Sequence, residues 1–416
     1  MYIFAATRTP FCQMGSDLAH FTADDLGRTV VSSLLTKTGL EPRELSEVIF
    51  GCAAQPYDAA NIARVIALRS GIPEEVPAVT VHRSCASGAE AMTTAHQRIA
   101  AGQGDLFLVG GVESMTHIPF LFPHEASLHF SGLMRAKSSS QRLTAAASFN
   151  LSDFKPRIGL ELGMSDPFTG LSMGETAENL AREFGITRAA QDQFSLDSHA
   201  KALMHRERLN NEISPVYAAG KAVVEDEAIH SDLSVEELSK LPAIFDENSG
   251  SVTTGNSSPF SDGAVAFLVG TEQAAERIGI DPIGRLAAYA YAGCDPARMG
   301  LGPVHAILRA KQLSGLSPEE AGIFEIHEAF AAQVLAVLAA MRDPGSLGLD
   351  LPAFEIPTEN LNRRGGSIAL GHPAGASSAR LVLTALDQLH ETGERRALVC
   401  LCAGGGQGAA LYLEKP

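Results

Sequence analysis

Two stretches far apart in this chain follow one plan. SCASGAEAMTTAHQRIAAGQGDLFLVGGVES and GASSARLVLTALDQLHETGERRALVCLCAGGGQG each open on small residues, continue as an amphipathic helix, enter an apolar strand and end in glycines. A recurrence of this kind reads as a duplicated α/β unit. It predicts equivalent strand ends lying side by side, which is where open α/β sheets bind ligands.

The segments between these stretches keep the same alternation. ADDLGRTVVSSLLTKTG sets Leu26, Val30 and Leu34 one turn apart and stops at Gly39, an amphipathic helix. VIFGCA, PAVTVH and RLAAYAYAG read as strands, NIARVIALRSG and GPVHAILRAKQL as helices, and GIFEIHEAFAAQVLAVLAAM as a strand running into a helix. The chain has 416 residues, 45% of them hydrophobic and none of them tryptophan, so its apolar content is mostly Ala, Val, Ile and Leu. That length predicts two or three packed units. The composition suits helices covering both faces of a sheet.

A formal net charge of −16 argues against general nucleic-acid binding, which depends on clustered Lys and Arg. The opening MYIFAATRTPF has the pattern of a strand and not of a signal peptide. No apolar run reaches the roughly 18 residues of a membrane span. Cys12, Cys52, Cys85, Cys294, Cys400 and Cys402 form neither a CxxC pair nor a zinc-type spacing with His. A reduced cytoplasmic setting is expected, with no resident metal. From about His117 to Ser172 the alternation breaks and the sequence reads as loop. Between residues 126 and 160 it carries Arg135, Lys137, Arg142, Lys155 and Arg157 against the single acid Asp153. Such a basic patch in an acidic protein fits a phosphate-bearing ligand, a partner or a membrane surface, and equally a solvated surface excursion.

Four positions invite a chemical reading. Cys85, in VHRSCASGAEAM, sits where an extended run becomes a helix, so its thiol feels the positive end of the helix dipole. Buried free cysteines also serve simply as small hydrophobes. His372, in the tight turn of GHPAGASS, is an imidazole able to take a thiol proton, though lone histidines are often structural. Cys402 precedes the glycines of CAGGGQG, a bend whose bare N–H groups suit an oxyanion as well as a plain turn. His327 and Glu328 lie at a strand-to-helix junction, and one HE pair without a later helical His is weak support for a metal. Two thiols with separate roles, one a nucleophile and one exchanging a proton with carbon, are what carbon–carbon acyl transfer requires.

The ordered motifs SCASGAEA, GGVESMT, SMGETAEN, TGNSSPFSDGA, DPARMGLGP, HEAF, GGSIALGHPAGASS and CAGGGQG resemble those of the thiolase family over nearly the whole chain. The resemblance implies an α/β fold with a five-layered αβαβα core from two duplicated halves and an inserted loop domain. On that basis residues 1–117 and 245–270 form the nucleophile half. Residues 118–244 form the loop domain with coenzyme A and substrate contacts, and residues 271–416 the half with the catalytic His and second Cys. It implies Cys85 as the acylated nucleophile, His372 as its base, and Cys402 as the acid/base acting on the acetyl-CoA carbanion. The N–H groups of Cys85 and Gly404 are implied as one oxyanion hole, with His372 contributing to a second. His327 stands where many thiolases have Asn. In this it resembles the thiolase subunits of trifunctional β-oxidation complexes, as does KPRIGLELGMSDPFTGLSMGETAENLA. Ser258, Met173 and Met299 match positions lining the pantetheine channel.

The implied activity is 3-ketoacyl-CoA thiolysis, with coenzyme A as a substrate and no permanently bound cofactor. Its alternatives are a biosynthetic acetoacetyl-CoA thiolase and a silent acyl-CoA-binding subunit. The implied assembly is a homodimer or dimer of dimers with a hydratase/dehydrogenase partner subunit, and the basic segment 126–160 adds the expectation of membrane-surface contact through the loop domain. The sequence departs from the usual family pattern at His82, Ser378 and Ser172.

Overall fold

A computed structural model describes residues 1–218 and 220–416. The strands are β1 (Tyr2–Arg8), β2 (Glu47–Gly51), β3 (Ala78–Val81), β4 (Leu106–Ser114), β5 (Ser261–Gly270), β6 (Gly284–Gly293), β7 (Ile323–Ile326), β8 (Arg396–Ala403) and β9 (Gln407–Glu414). They pair in the order β7-β8-β9-β6-β1-β5-β4-β2-β3, and the two-residue strand Cys12–Gln13 adds to β5.

The order displays the duplication. In the first half β2 runs parallel to β4, β4 antiparallel to β5, and β5 antiparallel to β1. In the second, β7 runs parallel to β8, β8 antiparallel to β9, and β9 antiparallel to β6. The halves meet where β1 pairs β6 through Tyr2 with Arg285 and Ile3 with Gly284. The repeated stretches supply the equivalent pairs, α3 (Ser87–Ala100) with β4 and α10 (Ala374–Thr392) with β8.

Side-chain alternation along the strands builds the layers. Leu106 and Leu108 of β4 face outward onto α1 (Ala23–Thr38) and α2 (Ile62–Arg69), through Leu26, Val30 and Ile66. Phe107 and Val109 face inward and share a core with Met92 of α3, Leu381 and Leu386 of α10, and Val399 and Leu401 of β8. Leu398 and Cys400 point the other way, onto α8 (Gly302–Ser314) and α9 (Ala331–Arg342). The result is the expected five-layer αβαβα sandwich, with α3 and α10 as its central layer. All nine residues of β4 are buried, which is why its sequence lacks polar alternation.

Helix ends follow local chemistry. Thr22 and Asp25 form a capping box at the start of α1, and Gly39 closes it with φ of +63°. Close approach at the centre depends on glycine: a Cβ on Gly111 of β4 would lie 2.1 Å from the Gly375 carbonyl oxygen.

One expectation is corrected. Residues 117–172 are not a plain loop, for they carry α4 (His124–Arg135), α5 (Ser139–Ala147) and a hairpin of Phe120–Leu121 with Arg157–Ile158. Only Ala126 of α4 is buried and no residue of α5 is, so both helices lie on the surface of the chain. No helix among the described residues is long and apolar enough to cross a membrane.

Candidate active site

Cys85 occupies the turn between β3 and α3. Ser84 before it has φ of +45°, a left-handed conformation that costs a non-glycine residue about 1–2 kcal/mol. The turn is fastened by Ser87, whose hydroxyl donates to the Ser84 carbonyl at 2.7 Å and accepts from the Arg83 N–H at 2.9 Å. This geometry holds Cys85 Sγ 3.2 Å from His372 Nε2.

His372 lies just before α10. Its backbone N–H donates to the Pro259 carbonyl at 3.0 Å, anchoring the turn to the segment leading into β5. Its ring Nδ1 is 2.6 Å from Ser377 Oγ, and the Ser377 hydroxyl donates to the Pro373 carbonyl at 2.9 Å. With its one proton committed, Ser377 accepts from Nδ1–H. Nε2 is therefore the nitrogen with the lone pair, and it faces the thiol.

The pair is neutral at rest. Burial pushes the Cys85 thiol up to about 11, with Glu113 adding to the rise, while the backbone N–H groups of Cys85 and Gly404 pull it back. Burial and the Arg380 charge hold His372 down at about 4. Those two N–H groups converge on the sulfur, a ready position for an oxyanion formed at an atom bonded to it. Cys402, at the end of β8, is buried, and its thiol is held well above the usual range by burial and by the neighbouring Cys85 and Cys294 sulfurs. The glycines after it turn the chain into β9, Gly405 and Gly406 having φ of +82° and +70°.

His327 packs against His372 with ring centroids 4.3 Å apart. Its Nδ1 lies 2.9 Å from Ser367 Oγ, and its Nε2 is buried without a hydrogen-bond partner among the described residues. Burial, the His372 ring and Arg380 keep it far below the usual imidazole range.

Cys85, His372, Cys402 and Gly404 all line one cavity of about 700 Å³, together with Ser258, Met173 and Met299. His327 sits behind this wall. The Ser258 hydroxyl donates to the Ala329 carbonyl at 3.1 Å.

The two halves of the chain match two models of one family: residues 1–273 match the thiolase N-terminal domain and residues 280–415 the thiolase C-terminal domain. The chain belongs to the thiolase family. It is 36% identical to a probable acetyl-CoA acyltransferase of Staphylococcus aureus, over 99% of this chain and 98% of that protein. The Bacillus anthracis acetyl-CoA acetyltransferase superposes with a TM-score of 0.85 at 35% identity, covering 100% of this chain and 98% of that one. Human mitochondrial 3-ketoacyl-CoA thiolase gives 0.86 at 32% identity with the same coverage. By family this thiolase is an acyltransferase.

Sequence reasoning passed over one support of this thiolase site, Glu113, and read a second, Glu328, only as half of a weak metal dyad. The Glu113 carboxylate, fully buried at the end of β4, accepts from the N–H groups of Ala53 at 2.9 Å, Ala54 at 3.1 Å and Gly375 at 2.9 Å. It ties the loop after β2 to the first turn of α10, three residues from His372. Glu328 likewise accepts from Asn362 at 2.7 Å, Ser198 at 2.7 Å and the Ile368 N–H at 3.2 Å, holding HEAF against GGSIALGHP. Both residues lie inside quoted motifs, and a carboxylate within an otherwise buried strand is the signal that marks Glu113.

The three departures have local structural partners. His82 Nε2 is 3.1 Å from the Ala53 carbonyl oxygen, the Ser378 hydroxyl accepts from the Ala89 N–H at 2.9 Å, and Ser172 caps α6 (Met173–Glu183) in a box with Glu175.

Proposed function

We propose that this thiolase cleaves 3-ketoacyl-CoA to acetyl-CoA and a shortened acyl-CoA. The observation carrying the reading is the neutral Cys85–His372 pair at 3.2 Å, opening with Cys402 onto one large, mainly apolar cavity. In the first half-reaction Cys85 sulfur bonds to the 3-keto carbon as its proton passes to His372 Nε2. The N–H groups of Cys85 and Gly404 stabilise the tetrahedral oxyanion. The C2–C3 bond then breaks, and Cys402 donates its proton to C2 of the departing acetyl-CoA carbanion. In the second, coenzyme A gives its thiol proton to the Cys402 thiolate and attacks the acyl-Cys85 carbonyl. Cys85 departs and recovers the proton from His372, so both thiols return to their starting state.

Degradation of extended acyl chains is favoured by the wall around the nucleophile, where Ile118, Leu160, Leu162, Met164, Phe245 and Phe330 offer apolar surface but no charge. A short acetoacetyl group fills little of such a space. Ser258, Met173 and Met299, which line the cavity, are the contacts for the pantetheine arm in this reading, and the human mitochondrial 3-ketoacyl-CoA thiolase neighbour is itself seen in complex with CoA. Mass spectrometry after exposure to a long-chain 3-ketoacyl-CoA without free coenzyme A tests the reading. A long acyl adduct on Cys85, discharged by coenzyme A, is expected. An adduct from acetoacetyl-CoA alone would point to the biosynthetic enzyme, and binding without any adduct to a silent subunit.

Residues 118–244 form, in this reading, a loop domain that covers the acyl pocket and docks the enzyme. Their α4 and α5 region exposes Leu128, Met134, Leu143 and Leu151 beside Arg135, Lys137 and Arg142. Apolar side chains among basic ones suit an anionic membrane surface. A reduced, cytoplasmic setting is part of the proposal, supported by six free thiols among the described residues. So are assembly as a homodimer or dimer of dimers and a hydratase/dehydrogenase partner subunit.

A further inference from the structure

One donor atom from each of Cys85, His327 and His372 lies within 4.8 Å of the other two. The arrangement is prepared on its far side as well. Ser377 accepts from Nδ1–H of His372, and Ser367, itself accepting from Arg380 at 3.4 Å, lies 2.9 Å from Nδ1 of His327, so both rings are fixed from behind. The front nitrogen of His327, its Nε2, is buried with no hydrogen-bond partner among the described residues. A ring nitrogen without a partner beside a second imidazole and a thiol becomes a coordination position once any proton on it moves to Nδ1.

We infer that Cys85, His327 and His372 form a binding site for a thiophilic divalent cation of the zinc class, and that occupancy by the metal blocks acylation of Cys85. One sulfur and two imidazole nitrogens select against magnesium and calcium, which take oxygen ligands. A tetrahedral ion with Zn–S near 2.3 Å and Zn–N near 2.0–2.1 Å separates its ligands by about 3.3–3.6 Å. The Cys85 to His372 edge is already 3.2 Å, and closure requires drawing His327 in from within 4.8 Å. The cavity provides the fourth position, for a water. On binding, the Sγ–H bond breaks, its proton leaves to the buffer, and the sulfur lone pair forms the bond to the metal. Arg380 is the opposing charge nearby, and Glu325, 3.6 Å from it, offsets that charge. The inference rests on donor geometry and stands apart from the choice of acyl substrate.

Cobalt(II) added to the thiol-reduced full chain is the probe, since thiolate ligation gives a near-ultraviolet charge-transfer band that nitrogen ligation lacks. One cobalt per chain with this band, displaced by zinc, is expected, and zinc should protect Cys85 from iodoacetamide. Cys85→Ser should abolish the band. His327→Asn should weaken zinc binding at least tenfold, and the milder Ser367→Ala, which keeps all three ligands, about 10–100-fold. No thiolate band, a band that survives Cys85→Ser, or zinc affinity unchanged in both His327→Asn and Ser367→Ala would each overturn the proposal. None of these readouts depends on turnover.

Discussion

The Ser377 hydroxyl accepts a 2.6 Å hydrogen bond from His372 Nδ1 while it donates to the Pro373 carbonyl, and this alone decides which ring nitrogen meets Cys85. Ser377→Ala frees the ring to hold the other tautomer. Acylation of Cys85 in a single turnover should slow by about 10–100-fold, a fraction of what a general base contributes. Binding of acyl-CoA should change little. An unaltered acylation rate would show that Ser377 does no more than fill space.

The pH dependence follows from the same ring. His372 is held down at about 4, so it stays a free base through the neutral range and loses that role only as pH falls through that value. The acid limb of kcat/KM should therefore fall near pH 4. A bend near 6.5, the ordinary imidazole value, would mean that His372 is solvated. On the alkaline side Cys85 titrates at about 11, so its alkylation by iodoacetamide should keep climbing well above neutrality.

Cys402→Ala separates the two thiols. The variant should still form acyl-Cys85 from a simple acyl thioester but lose cleavage of the carbon–carbon bond by about 10²–10⁴-fold, the usual span for a lost general acid. Equal loss of both steps would make Cys402 a packing residue.

Glu113→Ala leaves the buried N–H of Gly375 and the half-buried N–H groups of Ala53 and Ala54 without their acceptor. At roughly 1–3 kcal/mol for a buried orphaned group, and less for the two that water can reach, a stability loss of about 2 kcal/mol is expected in urea unfolding. Glu113→Gln keeps one acceptor oxygen and should lose less.

Neutralising Arg135, Lys137 and Arg142 together should reduce sedimentation with anionic vesicles and flatten its salt dependence, with activity on dissolved substrate kept. Vesicle binding equal to that of the unaltered chain would return α4 and α5 to a role within the protein or at a partner subunit.

How much of this was visible in the amino acids depended on whether a residue's partners have side chains. Cys85, His372 and Cys402 stand at junctions that local pattern marks: a strand yielding to small residues, a Gly-His-Pro turn, an apolar run ending in glycines. The duplicated pairing of strands was legible too, because helix and strand periods recur in both halves. Glu113 carried a signal, a carboxylate in an otherwise buried strand, but its role was hidden because the atoms it holds are backbone N–H groups, which leave no trace in sequence. Ser377 was hidden because one serine among GASS looks like any small residue. Helices α4 and α5 were missed because they are short, and because α4 follows the Pro-rich HIPFLFP and α5 begins in the serine run 138–140, which read as loop.

The central layer has a consequence for where the chemistry resides. Cys85 stands in the first half of the duplication and His372 and Cys402 in the second, and the two halves share one core through α3 and α10. Neither half alone holds both the nucleophile and the groups that move its protons. The catalytic set exists only where the two halves are pressed together, so any loosening of that shared core disassembles the reaction before it unfolds either half.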